Sequence, residues 1–133
     1  MFENKPESYE EFWPYYVSQH MNPTCRKLHF VGTGLALSHL AISPVFPPAF
    51  LAAPVYGYGL AWIGHFVFEK NKPASWLGPR ELVWSLRGDL RMFGKMIRGT
   101  MDAEIDRVRE LLDDAERARA VERAEHETPT VTA

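Results

Sequence analysis

From Phe30 to Phe68 the chain contains no Asp, Glu, Lys or Arg. No other feature of the 133-residue sequence restricts the fold as strongly. Pro44, Pro47 and Pro48 interrupt the run, and proline both removes a backbone donor and crowds the preceding turn. Two helices joined at that proline-rich tip make an uncharged hairpin over about residues 23–70. Its flanks are polar and rich in histidine. His20-Met-Asn22-Pro23-Thr-Cys25-Arg26-Lys27-Leu-His29 opens it, and Gly64-His65-Phe-Val-Phe68-Glu69-Lys70-Asn71-Lys72-Pro73 closes it. In an antiparallel hairpin both flanks fall at the same end.

The remaining chain reads as helix too. Ser8-Tyr-Glu-Glu11 has the form of a capping box and predicts a first helix to about Gln19, with Pro14 kinking or shortening it. Asn22 and Pro23 suit the cap and first position of a second helix, which runs to about Ile42. A third helix is expected from near Ala49 to about Lys70, where Gly57, Gly59 and Gly64 allow close helix approach. No segment alternates with period two, so no strand is expected. Val83, Leu86, Leu90, Phe93 and Ile97 form the apolar stripe of a fourth helix that begins near Arg80 and ends at Gly99. Met101, Ile105, Val108, Leu112 and Ala115 do the same for a charged fifth helix over about residues 100–126. The fold class is therefore all-α: a compact, membrane-associated bundle of about five helices around the uncharged hairpin. One domain covers 1–126, and 127–133 is a disordered tail.

Charge and composition narrow the partners. The formal net charge of -2 gives no footprint for nucleic acid. Cys25 is the single cysteine, so no internal disulfide forms and a reducing compartment fits. The polar, acidic start Met-Phe-Glu-Asn-Lys-Pro-Glu is unlike a signal peptide. A helix needs roughly 20 apolar residues to span a bilayer. The second helix falls a little short and contains His39, while the third carries Pro54. The hairpin thus spans thinly, inserts from one side, or forms the core of a soluble bundle. Arg26, Lys27, Lys70, Lys72 and Arg80 all lie at its open end. The cation bias of cytoplasmic loops places that mouth on the cytoplasmic side of a bacterial-type inner membrane. Membrane lipid is then a partner, and the C-terminal helix offers a surface for a homo-oligomer.

The hairpin also makes a chemical prediction. His29 lies about two turns into the second helix, His65 about one turn before the end of the third, and His20 just before the second. Glu69 follows His65 by four residues and shares its helix face. Three imidazoles and a carboxylate therefore converge at the mouth, a donor set that suits iron or zinc. His39 is about 15 Å further along the axis and stays out of the group, and His126 is a surface residue. Each member has an ordinary alternative: a buried histidine is commonly just hydrogen-bonded, Glu69 can pair with Arg26 or Lys70, and Asn71 and Lys72 can cap a helix end. Cys25 reads as an inert structural thiol. No HExxH, CxxC pair, GxSxG or phosphate-binding loop is present.

At these same residues the sequence resembles a known family. The resemblance is carried by His20-x-Asn22-Pro23 with His29, and by Gly64-His65-x-Val-Phe68-Glu69-Lys70-x-x-Pro73-Ala74. Phe12-x-Pro14-x-Tyr16, Arg26 and Gly32-Thr33 add to it. The family is that of small iron-dependent 2-hydroxy fatty acid dioxygenases, typified by a fungal enzyme that takes phytosphingosine breakdown products to odd-numbered fatty acids. It covers about residues 8–98 and not the charged fifth helix. The resemblance implies Fe(2+) held by His20, His29 and His65, with Glu69 as a further ligand or orienting group. It implies a 2-hydroxy fatty acid and O2 as substrates, and cleavage between C1 and C2 with release of carbon dioxide. On that basis Arg26, Lys70, Asn71 and Lys72 are candidate substrate contacts, and the acyl chain is expected along Leu35, Leu60 and Trp62 between the hairpin helices. Two rivals stand beside it. One is a non-catalytic membrane-bound assembly module that uses the fifth helix to bind a partner. The other is a zinc hydrolase built on the same ligands.

Overall fold

A computed structural model describes residues 5–127. It contains five α-helices and no strand among the described residues: α1 (Tyr9–Ser18), α2 (Pro23–Ile42), α3 (Pro48–Ile63), α4 (Pro79–Ile97) and α5 (Met101–Glu127). The chain is all-α. The expected tail lies outside the described residues from Thr128 onward.

The helix starts follow the local chemistry of the sequence. Ser8 Oγ accepts from the Glu11 backbone N–H at 3.2 Å, and the Glu11 carboxylate reaches back to the Glu7 N–H at 3.0 Å. α1 continues through Pro14 as one ten-residue helix. Asn22 Oδ1 accepts from the Thr24 N–H at 2.8 Å, and Pro23 takes the first helical position, where no donor is needed. α3 ends in a π-helical turn over Gly64–Glu69, a rare winding found often at functional sites. Lys70 then adopts a left-handed conformation (φ 57°), and a short 3-10 turn over Ala74–Leu77 leads into α4.

Two regions pack differently. α1 lies in a fully buried aromatic core, where Phe12, Trp13, Tyr16 and Val17 meet Met92 of α4 and Met101, Ile105 and Val108 of α5. Gly88 of α4 allows the Tyr16 ring close, since a Cβ there would stand 3.1 Å from it. Trp13 Nε1 donates to the buried Glu104 carboxylate at 2.9 Å, and Lys95 closes the same corner at 2.8 Å. α2 and α3 instead close backbone to backbone. A Cβ on Gly32 would sit 3.0 Å from the Tyr56 carbonyl oxygen.

The apolar stripe of α4 turns away from the protein. Val83, Leu86, Leu90 and Ile97 are exposed, while Glu81, Ser85, Gly88 and Met92 face inward. Within that inner face the small residues Ser85 and Gly88 admit the rings of α1 and the histidines of the hairpin. Phe93 alone of the stripe is drawn in, stacking on Phe30 at 4.7 Å between centroids. The hairpin likewise shows large apolar groups outward: Leu51 is 72 % and Val55 69 % exposed. Its side chains are not covered as the core of a soluble bundle would be. Pro48–Glu69, with 22 residues, is long and apolar enough to cross a membrane; α2 is not.

Candidate metal centre

The three histidines of the hairpin mouth meet. His20, at the end of α1, and His29 and His65, from the two hairpin arms, have ring centroids 4.5, 4.7 and 5.1 Å apart pairwise. All three are buried. Ligand-type atoms of His20, Cys25, His29 and His65 all lie within 4.8 Å of one another. His39 is elsewhere, hydrogen-bonded to the Leu35 carbonyl and packed on Tyr56.

Each ring is oriented from behind. His20 Nδ1 donates to the Tyr16 carbonyl at 2.6 Å, and its ring stacks on Tyr16. His29 Nδ1 donates to Asp89 at 2.6 Å. His65 Nδ1 donates to Asn71 Oδ1 at 2.7 Å, while the Asn71 amide donates to the Gln19 carbonyl at 3.0 Å and so fixes which end faces the ring. These acceptors place a proton on Nδ1 of each ring and turn the Nε2 atoms of His20 and His29 toward each other. His20 Nε2 and His29 Nε2 lie 3.3 Å apart, close enough to share one proton or one metal ion. Burial, and then the charge the neighbouring rings would carry, hold His20 well below the ordinary imidazole range, so it stays neutral and able to ligate. The donor set therefore fits a transition metal such as iron or zinc.

Cys25 belongs to this group, although its sequence context reads as inert. It stands one helical turn before His29, on the same face. Gly64 makes room for it: a Cβ there would lie 2.8 Å from Sγ. Burial and the nearby Glu69 carboxylate push the thiol up to about 12. A bound metal reverses that preference by taking the thiolate.

Five further expected site residues lie around this group in other settings. Glu69 is not among the converging groups. Its carboxylate accepts from the Asn22 N–H at 2.5 Å, because the start of α2 presents unpaired donors and a positive dipole end nearby. Asn71 orients His65, since the left-handed Lys70 folds the chain back beneath the ring. Arg26 is buried and ties down the connection from α1 to α2, donating to the His20 and Met21 carbonyls at 2.9 and 2.8 Å. Lys70 and Lys72 are exposed and do not line the cavity beside the histidines.

That cavity, of about 20 Å³, is bordered by His29, His65, Tyr16, Tyr58, Ser85 and Asp89. Asp89 escapes sequence reasoning. Its Oδ1 accepts from both His29 Nδ1 and the Tyr16 hydroxyl, the latter at 2.5 Å. The one available signal is an acid beside Gly88 and one turn after the small Ser85. Carboxylate–imidazole pairs of this kind fix the ligand's orientation and raise its basicity.

A search of curated proteins finds no match, and a search of solved structures finds none either. A family model described as 2-hydroxy-palmitic acid dioxygenase Mpo1-like matches residues 6–101. The matched stretch carries α1 to α4, the three histidines, Cys25 and Asp89, and stops where α5 begins. The chain belongs to the 2-hydroxy-palmitic acid dioxygenase Mpo1-like family.

Proposed function

We propose that the protein is an iron-dependent dioxygenase that shortens 2-hydroxy fatty acids by one carbon. The single observation that carries this reading is the convergence of three buried histidines whose Nδ1 atoms are all held from behind. Family membership supplies the substrate class. The overall change balances without another reductant: the 2-hydroxy acid and O2 give the shorter acid, carbon dioxide and water.

Fe(2+) held by His20, His29 and His65 would supply oxygen activation and a template for chelating the acid and hydroxyl oxygens. The rest falls to this chain. Asp89 and Asn71 hold the ligand rings in one tautomer. Tyr16 shields His20 by stacking and anchors Asp89. The aromatic core below α1 keeps bulk water from that side. Glu69 and Arg26 lock the two hairpin arms and the His20 segment together, so the rings stay in register. The exposed apolar flanks of the hairpin and α4 favour a position in one leaflet, with the cationic mouth at the cytoplasmic surface, where a hydroxy acid partitions.

The test is direct. Protein purified without oxygen and loaded with iron is given a 2-hydroxy acid labelled at its carboxyl carbon. Labelled carbon dioxide and an acid one carbon shorter are expected, with oxygen consumed. If no iron binds, and His29→Ala and His65→Ala leave turnover unchanged, the reading fails. Cys25 favours a second reading. A thiol with three imidazoles is also a composition found in closed zinc sites. Tight zinc binding that Cys25→Ser abolishes, with no oxygen-dependent turnover in the iron form, would support it.

A further inference from the structure

A larger groove, of about 480 Å³, runs from the metal centre along the outside of the hairpin. Its walls come from α2, α3 and α4. Leu37, Leu40, Phe50, Ala53, Gly57 and Leu90 make it almost wholly apolar. At its inner end it shares Tyr58, Ala61, Leu86 and Asp89 with the small cavity that touches His29 and His65. Polar groups cluster at that inner end. Ser85 lines the small cavity just beyond it; the residue is 7 % exposed and its Oγ has no hydrogen-bond partner. An unpartnered buried hydroxyl beside the histidines awaits a polar group on a ligand.

The shape selects the occupant. One polar end, one long apolar body and a volume typical of small-molecule sites describe an amphiphile with a single chain. Leu40, at the far end, lies eleven positions beyond His29 on α2, or about 16 Å along the axis. An extended hydrocarbon advances about 1.3 Å per carbon, from bonds of about 1.5 Å. The groove therefore takes roughly a dozen carbons beyond the head.

We propose that this groove holds the acyl chain of the 2-hydroxy acid with its tail toward the hairpin tip, that Ser85 meets an oxygen of the head, and that Ala53 and Gly57 set the chain length accepted. The inference rests on the dioxygenase reading. It also relocates the chain from between the hairpin helices to the crevice between the hairpin and α4. The gap between α2 and α3 is closed, since a Cβ on Gly32 would already lie 3.2 Å from that of Leu60. Ala53, Gly57 and Ala61 are the smallest wall residues on α3, each one helical turn from the next, and Ala53 and Gly57 lie nearer the hairpin tip. A Cβ on Gly57 meets only Ala36, at 3.6 Å, so a larger side chain there enters the groove without displacing backbone.

The test uses the full-length, iron-loaded protein and saturated 2-hydroxy acids of increasing length. Two readouts run in parallel: displacement of a fluorescent fatty acid, and product formation. Ala53→Phe and Gly57→Leu should weaken the longest acids roughly tenfold while sparing medium-chain ones, about the effect of losing two buried methylenes. Ser85→Ala should weaken every length alike, roughly fivefold. Val55→Phe, on the outer face of α3, should change neither profile. Helix content by circular dichroism confirms that each variant is folded. An unchanged length profile in both groove variants, with wild-type binding and turnover intact, overturns the groove assignment and leaves the dioxygenase reading standing. Length selection shifted equally by Val55→Phe shows instead that bulk lipid fills the crevice, and also overturns it. Wild-type protein that neither binds nor converts any of the acids overturns both.

Discussion

The α1–α4–α5 core and the α2–α3 hairpin are both apolar, yet they keep their shape by different means. In the core, aromatic rings interlock and are sealed from solvent, and the buried acid Glu104 is met by Trp13, Lys95 and Arg107. In the hairpin, small residues bring two backbones together while bulky side chains point outward. The first arrangement gets its stability from side-chain burial. The second leaves many of its large apolar side chains uncovered among the described residues. The histidine cluster sits at the seam, drawing His20 from the core side and His29 and His65 from the hairpin.

That contrast can be broken at several points. The largest effect belongs to the seam. Replacing His29 or His65 by Ala should reduce bound iron to background by elemental analysis, while circular dichroism shows the helices retained. Retained stoichiometric iron would show that the convergence is only structural. Next comes the core itself. Phe12→Ala should lower unfolding free energy by about 3–5 kcal/mol in denaturant titration, because the ring is fully buried among Tyr9, Tyr16 and Trp84. Asp89→Asn should then weaken metal affinity roughly 10- to 100-fold in chelator competition, since it disturbs the orientation of His29 and the bond from the Tyr16 hydroxyl. An effect confined to stability, with metal affinity unchanged, would remove Asp89 from the site.

Acid should separate the regions further. Lys95, Arg107 and Trp13 offset the burial of Glu104 and hold its carboxyl at about 2, against an ordinary 4.5. A depressed acid contributes stability that is present above its unfolded pKa and lost as pH falls through the folded one. The core should therefore weaken between about pH 4.5 and pH 2, and Glu104→Gln should flatten that limb of a melting-temperature profile. The smallest effect on stability falls on the hairpin exterior. Leu51→Ser and Val55→Ser should shift unfolding in detergent by less than about 0.5 kcal/mol. They should nevertheless reduce sedimentation with lipid vesicles. Unchanged vesicle binding would mean that something other than a bilayer covers these side chains.

Much of the arrangement was legible from residue order. The charge-free run, the proline tip and the Asn22-Pro23 start determine a hairpin, and helical rise then sorts His39 away from the other histidines. The difficulty lay with polar residues whose partners come from another element. Glu69 has the right spacing from His65, but the amide donors at the start of α2 claim it. Asn71 and Cys25 look incidental until a left-handed turn and a glycine bring them beside the rings. Asp89 has no local signal that distinguishes it from a solvated acid.

α4 makes the division plain. Its sequence determined a helix with one apolar stripe, because periodicity is a property of the chain alone. Which way that stripe faces was decided only in three dimensions. Tyr16 needs the space at Gly88, and His29 needs the carboxylate at Asp89, so the polar face turns inward and the apolar face outward. Local propensity fixes what an element is. The partners that must be satisfied across elements fix how it is rotated, and here that rotation determines both the metal centre and the groove beside it.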